Sequence, residues 1–370
     1  MYEPANPVSA TLIVTASKDA TAIMWDLKSG KIVHRLKGGH GVHEISCVLV
    51  YIPSDVSAAP LLITGGWDRN AVVWDIITGQ QMYRLEGGHS QGISAMDLYN
   101  PGEGISPLVV TGSADDTAVV WDLCSGQVVR TLSGGHADRI YSVAVHAPRI
   151  SICPPLVVTG SEDKTAVVWD LHSGSRLCKL QGEHTATITA IAVYAPPDGM
   201  SPPLVLTASA DKTAIVWDVV TGIPIRRLTG CHTAGLLSAA VYSPQRGRGS
   251  PLFITGAQDH STVIWDIWSS EQVRRLEGGH SQPVKAVAVY TPPEPTIPAV
   301  VVTGSDDKTA VVWDLQSQHI MHTLSRGHSG EVTSVVVYTP PMPKASPLVI
   351  TGSEDSTAVV WEVFSGKQLH

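Results

Sequence analysis

The chain has 370 residues, of which 43% are apolar and 16% are charged. This composition predicts a soluble globular protein with a large core and excludes a membrane protein. The formal net charge of -8 argues against a default attraction to nucleic acid or to an anionic membrane surface.

A thirteen-residue motif recurs along the chain, reading TGSEDKTAVVWDL at 159–171 and TGSDDKTAVVWDL at 303–315. Its tryptophan returns at intervals of 49, 47 and then 48 residues, at Trp25, Trp74, Trp121, Trp169, Trp217, Trp265, Trp313 and Trp361. A histidine follows fifteen residues after each of the first seven, at His40, His89, His136, His184, His232, His280 and His328. The sequence therefore contains eight repeated units.

In chain order, each unit predicts four short strands and no helix. The last unit shows three of them, VTSVVVY at 332–338, PLVITGS at 347–353 and TAVVWEV at 357–363, and 127–132 shows the weaker outer kind, QVVRTL. β-branched residues dominate these runs, and turn-forming residues separate them. Because the central strands are apolar on both faces, their sheets must be covered on both sides. Stacking the small sheets around an axis achieves this.

A Gly-His pair, then S/T-G-S-x-D-x-T, then Trp-Asp, resembles the WD40-repeat β-propeller family over essentially the whole chain. The resemblance implies an all-β fold, an eight-bladed WD40-type propeller with four antiparallel strands per blade. We predict one domain over 1–370 that forms a monomeric ring. Its blades are approximately 1–36, 37–85, 86–132, 133–180, 181–228, 229–276, 277–324 and 325–370.

The resemblance also implies a buried hydrogen-bonded network of His, Ser/Thr, Asp and Trp in each complete unit. The matching positions are His40, Thr64, Asp68 and Trp74; His136, Thr159, Asp163 and Trp169; and His328, Thr351, Asp355 and Trp361. A buried carboxylate needs hydrogen-bond partners, which an imidazole and a hydroxyl supply. These trios recur in seven units, so we interpret them as structural and not as a hydrolase site.

The first unit has Thr15, Asp19 and Trp25 but no matching histidine, and its Tyr2 aligns with Tyr338 of the last unit. We therefore expect the first blade to lack its innermost strand and to leave an unpaired sheet edge. Either a longer natural chain supplies that strand or this copy has been lost. A seven-bladed ring with one unit left over is the alternative, and it would expose apolar faces.

No motif for chemistry stands out. His319 and His322 lie three residues apart on a predicted outer strand, where they point to opposite faces and chelate poorly. The sequence has no phosphate-binding loop, dinucleotide fingerprint or H-E-x-x-H motif. We predict no enzymatic activity, no cofactor and no metal. The five cysteines form no C-x-x-C pair and no secretory signal begins the chain, so we expect a cytoplasmic location, with the nucleus as the alternative.

Two faces present variable residues. Family propellers bind partners on the face that carries the network aspartates, and the matching positions are Glu44, Trp67, Arg139, Tyr141, Glu162, Leu237, Gln258, Lys285, Asp306, Glu331 and Glu354. Trp67, Arg139 and Tyr141 are residue types enriched at interface hot spots. The third unit has Gly92, Ser94 and Ala114 between them, so we expect a shallow notch. Proline-rich loops such as YAPPDGMSPP at 194–203 mark the opposite face.

These observations favour a non-catalytic scaffold that binds partner proteins or peptides, without nucleic acid or membrane. One alternative is a recognition or regulatory WD40 domain from a larger signalling protein or enzyme. A less favoured alternative is a propeller enzyme or small-molecule binder that uses the central channel.

Overall fold

A computed structural model describes residues 11–53, 58–102, 104–148, 154–196, 201–244, 249–292, 294, 297–340 and 346–370. These residues form thirty strands in eight antiparallel sheets. No helix in the described part of the chain is long and apolar enough to cross a membrane. The chain divides into two compact units, the first built on Met1–Glu183 and the second on most of the remaining residues.

The first unit contains blades 1 to 4. Their strands are β1 (Leu12–Ala16), β2 (Ala22–Asp26) and β3 (Ile32–Leu36); β4 (Ile45–Tyr51), β5 (Leu61–Gly66), β6 (Ala71–Asp75) and β7 (Gln81–Leu85); β8 (Ile93–Tyr99), β9 (Leu108–Ser113), β10 (Ala118–Asp122) and β11 (Val128–Leu132); and β12 (Ile140–His146), β13 (Leu156–Ser161), β14 (Ala166–Asp170) and β15 (Arg176–Leu180).

The second unit contains blades 5 to 8. Their strands are β16 (Ile188–Tyr194), β17 (Leu204–Ser209), β18 (Ala214–Asp218) and β19 (Pro224–Leu228); β20 (Leu236–Tyr242), β21 (Leu252–Ala257), β22 (Thr262–Asp266) and β23 (Gln272–Leu276); β24 (Val284–Tyr290), β25 (Val300–Ser305), β26 (Ala310–Asp314) and β27 (Ile320–Leu324); and β28 (Val332–Tyr338), β29 (Leu348–Ser353) and β30 (Ala358–Glu362).

The eight sheets are the predicted blades, and the fold class, an all-β eight-bladed WD40-type propeller, is confirmed. Blade 1 has three strands in the order β1-β2-β3, as expected for a blade without its innermost strand. Tyr2, on which that expectation partly rested, lies outside the described residues. Blade 8 differs from the prediction of four strands, because it has three and the fourth is reduced to a single bridge between Trp361 and Gln368.

The core lies between neighbouring sheets. The second and third strands of a blade, such as LVVTGS in β13 and AVVWD in β14, are buried almost throughout, whereas the outer strand is largely exposed. In the first unit, apolar clusters join blades 1 and 2, 2 and 3, and 3 and 4. In the second unit, they join blades 5 and 6, 6 and 7, and 7 and 8. Within each unit, each sheet therefore covers the apolar face of the next, as the pattern of the central strands predicts.

A glycine near the end of the second strand allows this close approach. A Cβ on Gly304 would lie 2.7 Å from Val335 Cγ2 and 2.8 Å from Val332 Cγ1, both on the first strand of the next blade. Blade 5 has Ala208 at the matching position, and the strand facing it carries Ala239 where the other blade carries Val335. The added methyl group in one strand is matched by a smaller side chain in its neighbour.

The Gly304→Ala substitution is expected to lower the free energy of unfolding by about 1 to 3 kcal/mol, because the valine methyl groups must move away. Adding Val335→Ala should recover part of that loss, with a coupling of about 1 kcal/mol or more. Gly352→Ala is the control, since a Cβ there meets only the Ser334 side chain. Urea denaturation of Gly304→Ala, Val335→Ala, the double variant and Gly352→Ala measures these differences. Strict additivity of the two substitutions would contradict the argument.

Candidate functional site

The repeated polar network is a directional chain of hydrogen bonds. In blade 4, Trp169 Nε1 donates to Thr159 Oγ1 over 3.0 Å, and Thr159 Oγ1 lies 2.8 Å from His136 Nε2. His136 Nδ1 lies 3.2 Å from Asp163 Oδ2. An ionised carboxylate only accepts hydrogen bonds, so Nδ1 carries a proton and donates it to Asp163, while Nε2 faces the threonine hydroxyl. The network therefore joins two strands, a loop and a turn through one imidazole ring.

The electrostatics of the network follow from these bonds. Burial alone would raise the pKa of Asp163, but the hydrogen bonds from His136 and Thr165 outweigh burial and hold that pKa well below 3.8. Burial lowers the pKa of His232 and of His328 below 6.5, since no water solvates the charged ring. Folding therefore favours an ionised aspartate beside a neutral histidine.

The same network recurs in every blade except the first. The distances from Nδ1 to the carboxylate are 2.8 Å for His40–Asp68, 3.2 Å for His89–Asp115, 2.9 Å for His184–Asp211, 3.2 Å for His232–Asp259, 3.0 Å for His280–Asp307 and 3.4 Å for His328–Asp355. The matching hydroxyl lies close to Nε2 in blades 2 and 8, at 2.8 Å for Thr64 and 2.7 Å for Thr351. Trp74 and Trp361 donate to these same hydroxyls.

A cation on the outer strand extends the network in some blades, which our sequence analysis missed. Arg84 Nη2 lies 2.8 Å from Asp68 Oδ2, and Arg275 Nη2 lies 3.3 Å from Asp259 Oδ2. Lys179 Nζ lies 3.8 Å from Asp163. All three cations stand ten residues after the motif tryptophan, a spacing that would have revealed them.

The predicted surface positions come together in pairs within their blades. In these blades, the amide of the residue before the network aspartate donates to the carbonyl of a loop residue. That loop residue lies three residues after the network histidine, or four residues after it in the case of His40. The pairs are Trp67–Glu44, Glu162–Arg139, Gln258–Gly235 and Glu354–Glu331, each at 2.9 Å, and Asp306–Pro283 at 3.1 Å. Among the predicted residues, Glu44, Glu162, Gln258 and Glu354 are exposed, and Leu237 is half-buried. In these five blades, one edge therefore brings the two variable positions together.

Trp67, Arg139 and Tyr141 form a cluster that spans three blades of the first unit. The guanidinium carbon of Arg139 lies 5.2 Å from the centroid of the Trp67 ring and 5.6 Å from that of the Tyr141 ring. Both distances fall within the range of cation–π contacts. Trp67 rests on blade 3, where a Cβ on Gly92 would lie 2.5 Å from its ring. The notch expected from the sequence is therefore bridged by the arginine instead of being open.

A cleft of about 640 Å³ adjoins this cluster. Its lining includes Trp67, Gln91 and Gly92 together with the network residues His40, Asp68 and Arg84. Trp67 is 38% exposed and Tyr141 is 39% exposed. The cluster thus offers two aromatic rings and a cation beside a space large enough for a partner's side chain.

The second unit carries a different group of predicted residues. Lys285 Nζ lies 2.9 Å from Asp306 Oδ1 and also forms an ion pair with Glu331. Burial alone would lower the pKa of Lys285, but the bonds to Glu331 and Asp306 outweigh burial and raise that pKa above 10.5. The lysine therefore stays charged and holds the loops of blades 7 and 8 together.

Other residues at the same repeat position are structural. Ser46 Oγ donates to the Gly65 carbonyl at 3.0 Å and lies 2.6 Å from the Ile93 carbonyl in the next blade. Thr189 makes the equivalent contacts with Ala208 and Leu236. Small hydroxyl residues at this position tie neighbouring blades together, whereas Tyr141 and Lys285 extend outward. Among the described residues, no group of three His, Cys, Asp or Glu side chains is placed to hold a metal ion.

A search of the curated proteins gave no significant match. The chain is similar to the crystal structure of the computationally designed Ika8 protein, with a TM-score of 0.76 and 27% identity over 96% of this chain and 94% of that chain. The family model described as "WD domain, G-beta repeat" matches residues 30–75, 79–122, 126–170, 174–218, 270–314 and 318–362. Each match begins with the outer strand of one blade and ends with the third strand of the next. Since these matches span more than half of the sequence, the chain belongs to the WD40 repeat family.

Proposed function

We propose that this chain is a non-catalytic scaffold that binds partner proteins or peptides on the face carrying the network aspartates. The observation that carries the proposal is the cluster of Trp67, Arg139 and Tyr141 beside the cleft. WD40 propellers commonly act as interaction scaffolds and are typically non-enzymatic. The described cysteines Cys47, Cys124 and Cys231 are free thiols, which supports the proposed cytoplasmic location.

The contrast between repeated and variable positions supports this proposal. The network keeps the same residue types in blade after blade, so its function is to hold strands together. The paired positions at the blade edge instead differ in charge and size from one blade to the next. Aromatic and arginine side chains give large contact area at low entropic cost, so the cluster is the strongest candidate anchor.

Replacement of Trp67 or Arg139 with alanine is expected to reduce partner recovery at least tenfold, because truncating a hot-spot residue costs about 2 kcal/mol or more. Quantitative affinity capture from native lysate, with wild-type and variant chains immobilised at equal amounts, measures the recovery. The thermal midpoint of each variant should stay close to that of the wild type, because both side chains lie at the surface.

The matched control is Trp268→Ala. Trp268 is 53% exposed in the turn between β22 and β23, at the opposite end of its blade from the network aspartate. The proposal requires proteins that wild type and Trp268→Ala recover equally and that both cluster variants lose. Equal recovery by all four chains would overturn it.

A further inference from the structure

We propose that the inner edge of β1 in blade 1 binds an extended segment from a partner chain, with the sequence pattern of the inner strands in the other blades. This site is separate from the Trp67 cluster and goes beyond the proposed function. In the described residues, β1 pairs with β2 and with no strand on its other side. The edge therefore presents backbone N–H and C=O groups suited to pairing with an added strand.

Burial indicates that β1 is built for a missing neighbour. The matching strand is buried throughout in blades 3, 4, 5 and 7, whereas Val14, Thr15 and Ala16 are half-exposed. Trp25 is also half-exposed, although the seven other motif tryptophans are only 1% to 4% exposed. Blade 1 thus has a surface that an inner strand covers in the other blades.

The polar network in blade 1 lacks one member. Trp25 Nε1 donates to Thr15 Oγ1 over 2.9 Å, as in the complete blades. The Asp19 carboxylate accepts hydrogen bonds from the amide of Thr21 at 2.9 Å and from its hydroxyl at 2.7 Å. The histidine that joins threonine to aspartate elsewhere has no counterpart among the described residues of this blade. A segment that brings a histidine four residues before its strand would supply that group.

The complete blades fix the register of the added strand. In blade 5, Ile191 faces Thr207 and Val193 faces Val205. If the added strand pairs with β1 in the same register, its residues that correspond to Ile191 and Val193 lie opposite Thr15 and Ile13. Thr189 would then reach the carbonyl of Ile45 in blade 2, as it reaches Leu236 in its own surroundings. The ligand class is therefore a short β-strand with a histidine ahead of it and small or β-branched residues within it.

The probe is a labelled peptide of residues 183–194, EHTATITAIAVY, titrated into the full chain and followed by fluorescence anisotropy. We expect saturable one-to-one binding. A peptide with Ile191→Pro should bind at least tenfold more weakly, because proline removes an N–H of the ladder. A peptide with His184→Ala should also lose at least tenfold, because it lacks the group that joins Thr15 to Asp19.

The chain variant Asp19→Ala tests the contact directly. With this variant, the wild-type and His184→Ala peptides should bind within about threefold of each other, since the two groups act as a pair. Trp67→Ala should leave peptide affinity unchanged, which separates this proposal from the previous one. Three results would overturn the inference: no binding, binding that is insensitive to both His184 and Asp19, or binding only after removal of residues 1–10.

Discussion

Replacing Asp307 with alanine is expected to lower the free energy of unfolding by about 3 to 5 kcal/mol, because several buried donors lose their acceptor and each costs about 1 to 3 kcal/mol when left unsatisfied. The carboxylate accepts hydrogen bonds from His280 Nδ1 at 3.0 Å, from the Ser281 amide at 2.9 Å and from the amide and hydroxyl of Thr309 at 3.0 and 2.6 Å. Its side chain is 9% exposed, so water cannot replace these bonds without local opening. Urea or guanidinium denaturation at pH 7 measures the loss.

Blade 1 provides the matched control. Asp19 occupies the same position in its turn, but it is exposed and bonds only to Thr21 and Ser17. Asp19→Ala should therefore cost about 1 kcal/mol, the value of a turn-stabilising hydrogen bond. The difference between the two losses of unfolding free energy measures the stabilisation that depends on the network histidine and its loop. Equal losses in both would show that the aspartate serves the turn alone.

The strands and the network were predictable because both leave a repeated signal. Eight tryptophans at nearly constant spacing fixed the number of blades, and the apolar runs around Val167 and Val311 fixed the central strands. The exposure of Trp67 was also predictable, since it occupies the variable turn position just before the network aspartate. Because the same pattern recurs in each unit, the match in one unit supports the strand assignment in the others.

The side-chain directions on the loop face were not predictable in the same way. Arg139 reaches Trp67 across blade 3 only because Gly92 leaves space for the indole ring. That contact joins three blades through residues far apart in sequence, and no repeat signal marks it. The loop residues Arg246 and Arg248 and parts of the proline-rich segments lie outside the described residues.

The fold also shows how a repeated scaffold divides its two tasks. Residues that face a neighbouring sheet, such as Gly304 and Val335, are constrained in pairs, so they change together or not at all. Residues at the blade edge, such as Glu162 and Gln258, bond through their backbone amides and have exposed side chains, which can differ between blades. A chain built this way can alter its binding surface without altering its core.

Acidification is expected to destabilise the protein steeply below pH 4. The pKa of Asp259 falls from 3.8 to about 2 on folding, and hydrogen bonds within the network hold the pKa of Asp115, Asp163, Asp211 and Asp307 even lower. Between these values and 3.8, the unfolded chain binds protons that the folded chain does not. Stability is therefore complete above the unfolded value and is lost as pH falls toward the folded value, at about 1.4 kcal/mol per pH unit for each carboxylate.

A smaller loss of stability should begin at a higher pH. Burial lowers the pKa of His232 and His328 below 6.5, so the unfolded chain also takes up protons there first as pH falls below 6.5. Urea midpoints at pH 7, 5.5, 4 and 3 should decline slightly at first and then sharply.

Asp163→Asn should be less stable than wild type at pH 7. The difference in stability between the two chains should narrow as pH falls from 4 to 2, because the amide does not titrate. A gap that stays constant over that interval would show that the network carboxylates are not the source of the acid sensitivity.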